Sequence, residues 1–182
     1  FANVIISFMQ YNPLASDNRF IGLVNYSNLF KDPVFFTALK NTLVFTLAAV
    51  PLNIVISLTV AALITQLRSN KTRSFFRMSV FLPAVAPLVA TSVIWGRSIY
   101  PTSSGLLNLI ITTLGGKPLN WIGSADYLMI SVIIFTLWAD LGYNIILFSA
   151  GMDGIPRDFY EASWIDGANA WTQFRHITLP LL

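Results

Sequence analysis

No charged residue stands between Lys40 and Arg68, and a helix of that length exceeds the ~20 residues needed to cross a hydrocarbon core of ~30 Å. This predicts a first complete membrane span. A second uncharged run covers residues 78–96 and just reaches across, and a third, residues 127–152, holds a single charge, Asp140. Pro51, Pro83 and Pro87 fall inside these runs, where kinks are expected and neighbouring helices can satisfy the freed backbone groups. The opening apolar residues 1–9 lack a basic start and a small-residue cleavage site, so they read as the tail of a severed helix rather than a signal peptide. The expected fold is all-α: a polytopic transmembrane helical bundle with about three complete spans and part of a first. With no internal repeat or linker, residues 1–182 read as one membrane domain, incomplete at both ends.

Composition agrees with that pattern. The chain is 55% hydrophobic and 10% charged, against about 25% charged residues in soluble domains. A net charge of +3 rests on only 11 Lys plus Arg, with no basic patch interleaved with aromatics, so nucleic acid is not an expected partner. Cysteine is absent, which excludes disulfides and thiolate metal sites. Arg68, Lys71, Arg73 and Arg77 crowd into what reads as a short connection, and basic residues near helix ends stay on the cytoplasmic side. Alternation then places residues 10–40 and 97–126 outside and everything after Met152 inside.

Among the outer segments, Asp32 before Pro33 is a good helix start, predicting a short helix ahead of the first span. GLLNLIITTLGG, residues 105–116, is too short to cross and reads as an outer interfacial helix, with Trp121 at headgroup level. Asp140 lies mid-span, where an ionisable side chain is expensive and faces the bundle or a wet cavity. On a helix it shares a face with Thr136, Tyr143 and Asn144. Asp140, Tyr143 and Asn144 are therefore a candidate substrate path, with Trp138 or Tyr143 available to stack on a sugar ring. Structural contacts between helices fit the same face.

The cytoplasmic stretch EASWIDGANAWTQFRHITLP, residues 161–180, reads as two short helices about Gly167, opened by Pro156 and closed by Pro180. Its apolar positions Phe159, Ala162, Ile165, Ala168, Trp171 and Phe174 leave too much apolar surface for a free loop, and small Ala162 and Ser163 would let a partner approach closely. His176 has no second metal-type ligand at helical spacing, so no metal is expected. The stretch resembles the signature loop of the membrane-spanning permease subunits of bacterial ATP-driven, binding-protein-dependent importers: Glu-Ala-Ala, three residues, Gly, nine residues, Ile, one residue, Leu-Pro. Glu161, Ala162, Ser163, Gly167, Ile177, Leu179 and Pro180 occupy those positions, Ser163 replacing the usual second Ala. IPRDFYEASWIDGANAWTQF, IGLVNYSNLFKDPVFFTALKNT and LNWIG look like the sugar-permease branch, similar to the maltose and glycerol-3-phosphate type subunits.

That resemblance implies a bacterial cytoplasmic (inner) membrane protein, multi-pass, whose residues 153–182 form a coupling loop on a separate ATPase. It implies ATP-binding cassette subunits, a second and different permease subunit, an extracytoplasmic solute-binding protein and a sugar or related polyol as solute. The chain lacks the phosphate-cradling GxxxxGK[ST], so it is not expected to be an enzyme or to bind a cofactor; ATP belongs to the partner ATPase. An alternative is a self-sufficient secondary transporter or channel, which would not need such a docking loop. An intramembrane enzyme is disfavoured, since GxSxG, HExxH and paired intramembrane carboxylates are all missing.

Overall fold

The computed structural model describes residues 2–13 and 18–182; Phe1 of the expected severed helix and residues 14–17 of the expected outer segment lie outside the described residues. Contacts divide the chain into two compact units, residues 1–46 and 47–182. In the first unit, α1 (Ala2–Ile6) is followed by a hairpin of β1 (Met9–Gln10) and β2 (Arg19–Phe20), Met9 opposite Phe20, and then by α2 (Val24–Leu29). The opening residues are thus one helical turn and a strand rather than a helix reaching Met9. The Asn25 amide donates to Ser7 O at 2.9 Å and Met9 O at 3.1 Å, which satisfies carbonyls the short elements leave open.

Asp32 caps the next helix as its residue type predicts, its Oδ1 accepting from Val34 N at 2.8 Å. The helix it starts does not stop before the membrane: α3 is continuous from Pro33 to Thr65, 33 residues. No turn residue follows Pro33 to end a short helix, so it merges with the span, and α3 stays helical through Pro51.

In the second unit Ser69 caps α4 (Asn70–Val85), accepting from Thr72 N. Lys71, Arg73 and Arg77 therefore stand on the first turns of a helix, not in a loop. The expected single crossing over residues 78–96 is broken. Pro87 lacks an N–H and disfavours helical backbone at the residue before it, and Ala86 is extended at φ −73° and ψ 141°. Beyond it α5 (Leu88–Ile94) runs into a π-helical turn, Trp95–Ile99, bent by 93° from α4. Among the described residues two helices are long and apolar enough to cross a membrane, α3 and α7 (Ala125–Asp153), or three spans if the bent pair is one. The architecture is an all-α transmembrane bundle.

The closest helix crossing is α4 on α7. At Gly142 an added Cβ would lie 2.1 Å from Val80 O, so only glycine permits the approach. Ala61 and Ile64 of α3 meet Ile145 and Met152 of α7 in the buried core, with Ser57 and Ser149 buried beside them. Small side chains at these positions fit close packing in lipid, where exclusion from water contributes little to helix association.

The GLLNLIITTLGG stretch forms α6 (Leu106–Thr113). Buried Asn108 pins it, donating to Leu119 O and accepting from Leu119 N, both at 2.8 Å. Trp121 is 7% exposed and sits between Tyr100 and Tyr127, with ring centroids at 6.0 and 6.3 Å. It packs within the chain itself, its ring tilted against Tyr100 and edge-on to Tyr127. The crossing count carries a direct test. Single cysteines at Ser69, Ser103 and Asn169 of the full-length protein are expected to label from the cytoplasm, the outside and the cytoplasm, and labelling of Asn169 by an impermeant reagent outside sealed cells would overturn that topology.

Candidate functional site

After α7 the chain turns at Gly154, and Pro156 leads into α8 (Arg157–Ile165) from the capping position just before its first turn. The helix ends as a Schellman motif: Gly167 N donates to Trp164 O at 3.1 Å and Ala168 N to Ser163 O at 2.9 Å. Gly167 has φ +81°, the left-handed conformation its place between two short helices predicts. Asn169 then caps α9 (Ala170–Gln173), Oδ1 accepting from Thr172 N at 2.9 Å. Pro180 does not close this second helix. A π-helical turn, Phe174–Thr178, carries the chain on into α10 (Leu179–Leu181), where Pro180 lies in a first turn that needs no N–H from it.

The two arms are tied to each other. Gln173 Nε2 donates to Ser163 Oγ at 3.0 Å and to Tyr160 O at 3.3 Å, while Ser163 Oγ donates to Tyr160 O at 2.8 Å. The Tyr160 and Thr178 hydroxyls bond at 2.9 Å. Ser163 is half-buried, its hydroxyl spent on Gln173 and Tyr160 within the loop. Ala162 is exposed, Ile177 half-buried, Leu179 exposed. Glu161 is exposed, with no hydrogen bond or ion pair among the described residues. The same segment exposes Phe159, Trp164 at 77%, Ile165 at 87% and Trp171, whose ring stacks on Phe174 at 5.9 Å. A segment with a free carboxylate and large exposed apolar side chains is suited to binding a surface that offers a cation and a hydrophobic groove.

The loop is seated on the ends of the spans. Arg73 Nη2 donates to Thr65 O and Leu67 O, capping the C-terminus of α3, while Nη1 lies 3.6 Å from Asp153 at the end of α7. Arg77 adds a 2.7 Å bond to the same carboxylate. A cavity of about 400 Å³ opens beside this junction, lined by Gln66, Arg73 and Asp153 from the spans and Tyr160, Gln173 and Thr178 from the loop. Sequence reading used Arg73 and Arg77 only as topology markers and missed the join. A carboxylate at the end of one span and arginines just after another were its signal. His176 is exposed, its Nδ1 3.1 Å from Thr172 O, and no cluster of three metal-type ligands occurs among the described residues.

The polar face of α7 does come together. Asp140, Tyr143 and Asn144 line a second cavity of about 330 Å³ with Ala139 and, from α4, Phe81 and Ala84. Thr136 is not in its wall. Trp138 packs on Trp95 at 5.1 Å and Phe135 at 6.2 Å, so of the two rings considered for stacking only Tyr143 faces the cavity. Asn144 Nδ2 donates to Asn53 Oδ1 of α3 at 2.7 Å, a partner the sequence reading missed although an amide in an uncharged span was its signal. Asp140 and Tyr143 make no side-chain hydrogen bond among the described residues.

The profile of the family described as binding-protein-dependent transport system inner membrane component matches residues 44–182. A probable ABC transporter permease protein of Bacillus subtilis, YurN, is 35% identical over 99% of this chain and 62% of its own length. The arabinooligosaccharides transport system permease protein AraP of Bacillus subtilis is 34% identical over 98% of this chain and 56% of its own. The trehalose/maltose transport system permease protein MalF of Thermococcus litoralis is 32% identical over 91% and 55%. The chain spans less than two thirds of the length of these relatives. In fold it is similar to a chain of a bacterial ABC transporter involved in import of the acidic polysaccharide alginate, with TM-score 0.80 and 22% identity over 99% of this chain and 60% of that one.

Proposed function

We propose that this chain, which belongs to the family of binding-protein-dependent transport system inner membrane components, is the membrane-spanning permease subunit of an ATP-driven importer for a sugar or related polyol. The observation that carries this reading is the loop: two short helices about Gly167, an unpartnered Glu161 on a segment of exposed apolar residues, and Phe174 packed against the core cluster of Ala61, Ile64, Ile145 and Met152 at the ends of α3 and α7. Such an element turns movement of a docked partner into movement of the spans. ATP is hydrolysed by separate ATP-binding cassette subunits, and this chain is not itself an enzyme. A second permease subunit, different from this one, and an extracytoplasmic solute-binding protein complete the assembly in the bacterial cytoplasmic membrane. Asp140, Tyr143 and Asn144 line the solute path. The saccharides in the names of AraP and MalF support a sugar as cargo.

Glu161→Ala tests the docking role. Truncating one member of a desolvated charge pair costs about 2–5 kcal/mol. The variant is expected to insert normally but to lose its ATPase subunits during purification of the full-length complex, and uptake with them. Parental recovery of the ATPase and parental uptake would remove Glu161 from the interface. Solute uptake by the purified chain without ATP would favour a self-sufficient carrier instead.

A further inference from the structure

The transport reading places Asp140 on the solute path but makes no use of its charge. Asp140 presents a carboxylate to the mid-span cavity, and the rest of the cavity wall is apolar or uncharged: Phe81, Ala84, Ala139, Tyr143 and Asn144. No Lys or Arg lines it among the described residues, and the ion pairs of the second unit lie at the far cytoplasmic end, on Asp153. An unpaired carboxylate halfway along a membrane-spanning helix requires water or a polar occupant in front of it, because its charge in hydrocarbon is costly. Asp140 and Tyr143 are both exposed at this groove, so the carboxylate is open to whatever occupies it.

The amides fix what else the wall offers. Asn144 Nδ2 gives one of its two N–H donors to Asn53 Oδ1, which leaves its second N–H and its carbonyl oxygen open. Carboxylate oxygens are acceptors only, and the tyrosine hydroxyl works in either sense. The one charged group of the described wall is thus an acceptor, and it binds hydroxyl donors with charge-assisted hydrogen bonds. An anionic group at the same point would meet Asp140 with no cation to offset it.

We infer that Asp140 is a charge filter: the cavity takes hydroxyl-rich solutes without negative charge and rejects uronate or phosphate-bearing ones. This rests on the solute-path reading and goes beyond it by assigning the charge class of the cargo and the residue that sets it.

The test separates failure of the filter from failure of the path. Ala84→Cys, in the same cavity wall as Asp140, places a unique thiol on a full-length subunit otherwise free of cysteine, as this chain is. In the complete transporter, its labelling rates by cationic trimethylammonium-ethyl and anionic sulfonatoethyl methanethiosulfonates are compared by mass spectrometry of this chain. The cationic reagent is expected to gain at least about tenfold over the anionic one relative to a free thiol, to keep that gain in Asp140→Glu and to lose it in Asp140→Asn. Labelling by both reagents at the free-thiol ratio overturns the filter and leaves the path standing. Labelling by neither shows a dry face and overturns both. Liposomes holding the transporter and its binding protein are also offered a uronic-acid trisaccharide, and its uptake by the parent overturns the filter.

Discussion

Gly142→Ala is expected to strip most of the folded protein from the membrane. The added Cβ would stand 2.1 Å from Val80 O and 2.9 Å from Phe81 Cα, and both are backbone atoms that no side-chain rotation can move aside. The α4–α7 crossing has to open, giving up the packing that holds the bent second segment to the third. Overpacking of this kind costs about 1–3 kcal/mol when a neighbour yields, and more when only backbone is in the way. Gly96→Ala is the control, since its Cβ would make one ordinary contact at 3.9 Å with Ile122. Thermal unfolding of the detergent-solubilised full-length proteins checks the pair. A Gly142→Ala midpoint equal to that of the parent would mean the crossing is looser than described.

Gly167→Val should strike transport while sparing the fold of the spans. Nothing lies within 4 Å of a Cβ at this position, so the effect comes from φ +81° alone, a conformation that costs a residue with Cβ about 1–2 kcal/mol. A β-branched side chain is among the worst tolerated there, whereas asparagine enters the left-handed region more readily. Forcing φ negative breaks the Schellman bonds to Trp164 and Ser163 and swings α9 away from α8. Uptake is expected to fall by about five- to thirtyfold, with solute-stimulated ATP hydrolysis falling alongside, and Gly167→Asn to retain most of both. Reconstituted liposomes give the two rates together. Parental values for the valine variant would show that the turn does not transmit.

What was legible in the sequence was whatever one local rule decides. Asp32 with Pro33 marked a helix start because the cap bond spans two residues. Gly167 marked a left-handed stop because chirality excludes most alternatives. The polar face of α7 followed from helical periodicity, and the cavity it lines could be expected from the expense of a charge at Asp140. The features missed need two distant segments at once. Arg73 meets Asp153 only after α4 and α7 cross, and Ser163 meets Gln173 only after the chain reverses at Gly167. Pro83 and Pro87 announced a distortion, but its size depends on what receives α5 beyond the bend. Trp121 shows the same limit: an indole suits an interface or an aromatic cluster equally, and Tyr100 and Tyr127 decide for the cluster.

The bonds that tie Tyr160 and Ser163 to Gln173 and Thr178 bear on how the proposed importer would assemble. A loop that keeps its shape alone has already given up its conformational freedom during folding, so docking adds little ordering cost beyond that of joining two bodies. Association then proceeds as near-rigid encounter rather than as folding on a template. The same stiffness acts in reverse once the complex exists. A lever without slack transmits small displacements in full, so under the proposed docking each closure of an ATPase pair would be delivered to the spans rather than absorbed in the joint.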